Sequence, residues 1–258
     1  MTGGPGVRLL LRPWWLLSHV TIVALLVVAV NLGFWQLRRL DQRQAYNALV
    51  EERSVLPPVS MAGLVGGGDP DEVAYRSFEA SGVFDVDREV YLANRSLNGL
   101  PGVHVVTLLV GTSGVVAVDR GFVPRSVYLA GDPAVWAPSG GEVVVAGRVR
   151  VAGTSRGGHG DEVDRVDVAD LSERWSVALP AVYVESGTGV GVGAIPVGVP
   201  APPLDEGPHL GYAVQWFVFF TIGLIGYPLV LVRLARRDPD VDDVDDVPGD
   251  AAGGPLDG

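Results

Sequence analysis

VTIVALLVVAV, residues 20–30, decides the architecture, because ten of its eleven side chains are apolar and none is charged. It sits inside a run of 25 residues, 13–37, bounded by Arg12 and Arg38 and free of charge throughout. As a helix, that run extends roughly 37 Å at about 1.5 Å per residue, enough to cross about 30 Å of hydrocarbon. A second uncharged run of 23 residues, LGYAVQWFVFFTIGLIGYPLVLV, covers 210–232. Both exceed the apolar core of a secretory signal peptide, and no small-residue cleavage site follows the first. A signal peptide plus one buried helix is the other reading; two membrane-spanning helices is the one the lengths favour.

The composition agrees. The chain has 258 residues, 48% hydrophobic and only 19% charged, against roughly 25% charged in an average globular protein. Its mean hydropathy is +0.30. All 19 basic residues are Arg, set against 30 acidic ones for a net charge of −11. Eight Asp after Arg237 account for most of that charge. A near-neutral body with an acidic tail lacks the basic face a nucleic-acid binder needs. The absence of Cys excludes disulfides, thiolate zinc sites and iron–sulfur clusters.

These features predict a membrane protein with two transmembrane α-helices flanking a small β-rich (α+β) extracytoplasmic domain. The expected divisions are an N-terminal cytoplasmic flank (1–13), a first span (14–37), an outer domain (38–208), a second span (209–232) and a cytoplasmic, acidic, disordered tail (233–258). Arg8, Arg12, Arg233, Arg236 and Arg237 lie on one side of the spans, against Arg38, Arg39, Arg43 and Arg53 on the other. That near-tie gives way to the length of the middle segment, since long loops translocate largely regardless of charge. The expected location is the cell membrane, multi-pass, with both termini cytoplasmic. No Arg/Ser-rich amphipathic presequence precedes the first span, which favours a bacterial membrane over import into mitochondria.

In the middle segment, 41–53 reads as a polar extension of the first helix, stopped by Pro57 and Pro58. Candidate strands at 77–84, 89–93, 103–110, 115–123, 142–151 and 181–185 suggest a small antiparallel sheet or barrel. Residues 168–175 read as a helix with Asp167 as N-cap, and 187–203 as an extended linker back to the membrane.

Chemistry-bearing residues gather where the two spans end together. The first closes with Gly33, Trp35, Gln36, Arg38 and Arg39; the second opens with His209, Tyr212, Gln215 and Trp216. At 100° per residue, His209, Tyr212, Ala213, Trp216, Phe220, Gly223 and Tyr227 form one stripe. An imidazole above aromatic rings suits a flat apolar ligand with a polar edge, with haem the obvious candidate: imidazole ligates iron and Arg pairs with propionates. Trp and Tyr also collect at membrane interfaces, and Arg snorkels there, without any ligand. His19 reads as a helix-packing residue and His104 as structural. His159 has metal-type donors beside it but no second His at ligand spacing. The glycines of 189–193 lack the strand–helix context of a nucleotide loop. No hydrolase, zinc-protease or Walker motif is present, so the expectation is that this is not an enzyme.

Gly33, Trp35, Gln36, Arg39 and Arg43 at the first span, Arg120, Gly121 and Pro124 in the middle, and His209, Leu210, Tyr212, Ala213, Trp216 and Phe217 at the second resemble, in order, the motifs of the surfeit locus protein family of cytochrome c oxidase assembly factors. Arg43 stands where that family has Lys, and Gly207 and Pro208 where many members have two Asn. The resemblance covers about 16–232. It implies a part in building haem–copper oxidase: transient binding of haem A, with His209 on the iron and Tyr212, Trp216, Trp35, Gln36 and Arg39 around it. The implied partners are the oxidase catalytic subunit, haem A synthase and the lipid bilayer, with no nucleic acid. A non-haem scaffold that stabilises an assembly intermediate stays open. A copper chaperone would need soft ligands, and the chain offers only Met1 and Met61.

Overall fold

The computed structural model describes residues 12–66, 68–187 and 195–236. The acidic tail from Asp238, Arg8 and the glycine run 189–193 lie outside the described residues, as does the side chain of His159. The chain divides into two compact units, one drawn from Met1–Gln44 with Glu206–Gly258 and the other from Ala45–Asp205.

Among the described residues, the helical unit holds two helices long and apolar enough to cross a membrane. Helix α1 runs Pro13–Ser54 without interruption. Its polar continuation past Arg38 is the one the sequence predicts, and it ends three residues before Pro57, where the consecutive prolines disfavour helical backbone. Its last ten residues belong to the β-rich unit. The second spanning helix is His209–Ala235, which includes Pro228, a residue tolerated in membrane helices but rarely elsewhere inside a helix.

Among the described residues, seven strands make the β-rich unit: β1 (Ser77–Leu97), β2 (Leu100–Gly111), β3 (Gly114–Pro124), β4 (Val143–Val151), β5 (Gly158–His159), β6 (Glu162–Val163) and β7 (Val182–Ser186). Their order is β2-β3-β7-β4-β1-β6-β5, and β1 also pairs with β2. That last pairing closes β1, β2, β3, β7 and β4 into a barrel-like ring. The ring is mostly antiparallel; β3–β7 and β1–β6 are parallel, which hairpin-by-hairpin reading of turns does not anticipate. The two predicted strands at 77–84 and 89–93 are one strand. Its first half pairs with β4 and its second with β2, and a register irregularity at Asp85/Glu89 accommodates the break in alternation. Short helices α2 (Met61–Val65), α3 (Pro70–Val73) and α4 (Arg125–Leu129) and the β5–β6 hairpin are additions to the predicted elements. Helix α5 (Val168–Trp175) carries its Asp167 cap as expected, accepting from Ala169 and Asp170 N–H; His209–Ala235 is α6.

Strand alternation sorts the core. Val103, Val105, Thr107 and Leu109 of β2 share one face, as do Val116, Val118 and Arg120 of β3. Leu109, Val116 and Val118 pack with Phe78, Val145, Val149 and Val184 in one cluster. Val103, Val105 and Val123 pack with Trp136 in another. On the opposite face, Val106, Leu108 and Ala117 meet Leu171 and Trp175 of α5. Thr107 and Arg120 thus fall between two apolar clusters, in a position where unpaired polar groups would be costly.

Candidate functional site

The facing surfaces of α1 and α6 define the first candidate site. Ala29, Gly33 and Leu40 of α1 are buried at helical spacing, and Ala213 of α6 is buried opposite them. A side chain at Gly33 would place its Cβ 2.7 Å from the Phe217 ring, and one at Gly223 would meet Leu26 at the same distance. Small residues at these two levels let the helices approach closely, the usual route to association in lipid, where no hydrophobic force separates helix from tail. Phe34 adds an edge-on contact with Phe217, at 5.4 Å between ring centres.

Polar contacts close both ends of this face. At one end, His209 Nδ1 lies 2.9 Å from Gln36 Oε1. A carboxamide oxygen only accepts, so this contact is made by an Nδ1–H donor, and in the neutral imidazole that leaves the lone pair on Nε2. At the other, the Tyr227 hydroxyl bonds Ser18 Oγ at 3.0 Å and, more closely, His19 Nδ1. The helix-packing role expected of His19 is the one these contacts describe.

The predicted stripe on α6 is therefore largely the face turned to α1, with Phe217 added and Tyr212 displaced. Tyr212 is 48% exposed and Trp35 47%. Trp216 is half-buried and stacks edge-on against Phe219 of its own helix. Arg39 is exposed and donates to Gln42 one turn along α1, and Arg43 is half-buried. The group that His209 meets on α1 is thus the carboxamide of Gln36. A haem ligand set would draw on one oriented imidazole, His209, with Trp35, Tyr212 and Trp216 as apolar surface and Arg39 and Arg43 as cations.

The mid-chain motif has a different setting. Arg120 is fully buried, and its guanidinium donates to Thr107 Oγ1 (2.8 Å), Trp136 O (2.7 Å) and Glu89 Oε2 (2.7 Å). Glu89 also accepts from Thr107, Tyr91 and the Trp136 indole. Burial weakens the hold of Arg120 on its proton, opposed by the charge of Glu89. The Tyr91 phenol is driven well above its ordinary range by burial and then by Glu89. Gly121 has φ +122°, and a Cβ there would sit 2.1 Å from Val197 O. Only glycine allows the returning chain to bond Phe122 in both directions, N to Val197 O at 2.8 Å and O to Val197 N at 2.9 Å. Asp119 accepts from Gly121 N–H and pairs with His104 at 2.8 Å; burial raises its carboxyl above the usual range, and His104 pulls it back. His104 is structural, as read from the sequence. Pro124 ends β3 and precedes α4. Glu89, Thr107 and Trp136 escaped sequence reading: an Arg inside the apolar run 115–123 signals a buried carboxylate partner but does not say which one.

Two membrane-spanning helices joined through a small closed barrel define a membrane-anchored β-barrel protein. Residues 23–221 match the family model described as the SURF1 family, and the chain belongs to that family. Uncharacterized SURF1-like proteins of Mycobacterium bovis and Mycobacterium tuberculosis (strain H37Rv) are each 27% identical to it over 251 residues, covering 91% of this chain and 90% of theirs. A SURF1-like protein of Monosiga brevicollis is 26% identical over 77% of this chain and 81% of its own length.

Proposed function

We propose that this protein is an assembly factor for haem–copper cytochrome c oxidase that binds haem A at the α1–α6 end carrying His209 and passes it towards the catalytic subunit. In this reading it works beside haem A synthase in the cell membrane, with both termini cytoplasmic and the barrel outside, as a carrier and not an enzyme. The observation that carries the proposal is the imidazole of His209 with its Nδ1 2.9 Å from Gln36 Oε1, an arrangement that would leave Nε2 to ligate iron. Haem, when bound, would supply an iron that His209 would hold through its imidazole. Trp35, Tyr212 and Trp216 would cover part of the macrocycle, and Arg39 and Arg43 would pair with carboxylates at its edge. One protein ligand suits a carrier, which must hold its cargo weakly enough to release it.

The test is the visible spectrum of the full-length protein purified in detergent from cells that make haem A. A Soret band in the wild type, lost in His209→Ala while membrane insertion persists, is expected, together with reduced oxidase content in a deletion strain. A colourless wild type would overturn haem binding. Normal oxidase in the deletion strain would overturn the assembly role. One observation favours the scaffold reading: Phe217 fills the space beside Gly33, so the helices pack against each other at that level.

A further inference from the structure

We propose that Gln36 is a positioning residue, which fixes the tautomer and ring orientation of His209 and does not itself touch the ligand. The inference rests on the haem reading only for its purpose; the geometry stands without it. Ala29, Gly33, Gln36 and Leu40 fall on one helical stripe of α1, three of them buried. Gln36 is therefore aimed at α6 by the same packing that seats Gly33 against Phe217. Its Oε1 is 2.9 Å from His209 Nδ1, and both residues are half-buried. An imidazole has two nitrogens that compete for one proton. Accepting at Nδ1 settles the competition in favour of the Nδ1–H form and leaves Nε2 as the ligating atom. It also restrains rotation of the ring about its own bond to the chain. The outer carboxylates and carbonyls that orient metal-binding histidines do the same work, and losing one typically weakens metal binding about 10–100-fold. A neutral amide in that place leaves the imidazole a weaker donor than a carboxylate would, which suits release.

The geometry separates Gln36 from Trp35, its neighbour in the motif. Trp35 points off the packed stripe and is 47% exposed, so the adjacent residues divide between ligand cover and ligand orientation.

The experiment uses the full chain in detergent, labelled with 15N-histidine, as wild type, Gln36→Leu and Gln36→Glu. Ring nitrogen shifts in the haem-free protein report which nitrogen is protonated. The wild type is expected to show the Nδ1–H form at position 209, Gln36→Leu a mixture or the reverse form, and Gln36→Glu the wild-type form restored. Haem A titration should then show about 10–100-fold weaker uptake in Gln36→Leu. Gln36→Glu should recover uptake with a lowered reduction potential, a change that mere repair of packing would not produce. An Nε2–H wild type, or identical ring shifts in all three proteins, would overturn the inference. If the tautomer follows Gln36 but no variant takes up haem A, the haem reading falls and the positioning role survives.

Discussion

In the barrel, Arg120 is fully buried and spends its guanidinium on Thr107, Trp136 and Glu89. In the helical unit, Tyr227 is half-buried and joins Ser18 and His19 across two helices. Both are polar clusters in apolar surroundings, yet their alternatives differ. When the barrel unfolds, Arg120 and Glu89 return to water, and the desolvation they suffered is refunded. When the helices separate in lipid, Tyr227, Ser18 and His19 stay in hydrocarbon and find other partners nearby. The same count of hydrogen bonds therefore means different things in the two regions. In the barrel it marks a network that must be complete to be tolerated; between the helices it sets register more than strength.

The largest effect should come from breaking the barrel network on one side. Arg120→Met leaves Glu89 in the core with no cation beside it, and removing one partner of a buried pair costs about 3–5 kcal/mol. That approaches the whole stability of many small domains. Urea unfolding followed by tryptophan fluorescence should show the loss. The double variant Arg120→Met/Glu89→Gln should recover a substantial part of it, since no uncompensated charge remains. If the single variant lost less than about 1 kcal/mol, the network would not be the constraint described here.

Gly121→Ala should rank next. Its backbone lies in the left-handed region, and the new Cβ would meet Val197 O. Strain of this kind costs of order 1–3 kcal/mol, and relieving it requires the segment around Val197 to leave β3. Protection of the Phe122 and Val197 amides in hydrogen exchange should fall together in this variant. Unchanged protection would mean that the returning chain is held from elsewhere.

These positions also mark what could be read from sequence. The two spans were legible because twenty-odd uncharged residues have few explanations other than a bilayer. Most strands were legible from Val-rich alternation between Gly and Asp, and α5 from its Asp cap. The closure of the barrel was not, because the parallel pairing of Val118 with Val184 joins segments far apart in the chain, and no local pattern encodes it. Nor was the fusion of two predicted strands into β1, since the polar stretch Asp85–Arg88 looks like a turn and forms an irregularity in a continuous strand. At the helix ends, His209 and Gln36 stood out as polar groups at a membrane mouth, but which of them met was a question of helix phase. Phe217, named in the second-span motif, fell outside the predicted stripe, and only the hole left by Gly33 marks it as a packing residue.

Tyr227→Phe should give the smallest change of the series and so tests the contrast most sharply. The substitution removes one hydroxyl and with it both hydrogen bonds, to Ser18 and to His19, while keeping the ring and its edge-on contact with His19, 5.7 Å between centres. Hydrogen bonds between membrane helices average about 0.6 kcal/mol by double-mutant cycles, against an apolar-medium expectation several times larger. Ser18 can fold its hydroxyl back onto a carbonyl one turn earlier, as Thr21 does with Leu17 in the same helix. The helix pair should therefore still form, with cross-linking between positions 36 and 209 nearly undiminished. A loss comparable to that of Arg120→Met would show that the polar ends of the helix pair are bound by the all-or-none rule of the barrel core, and that lipid offers Tyr227, Ser18 and His19 no substitute partners.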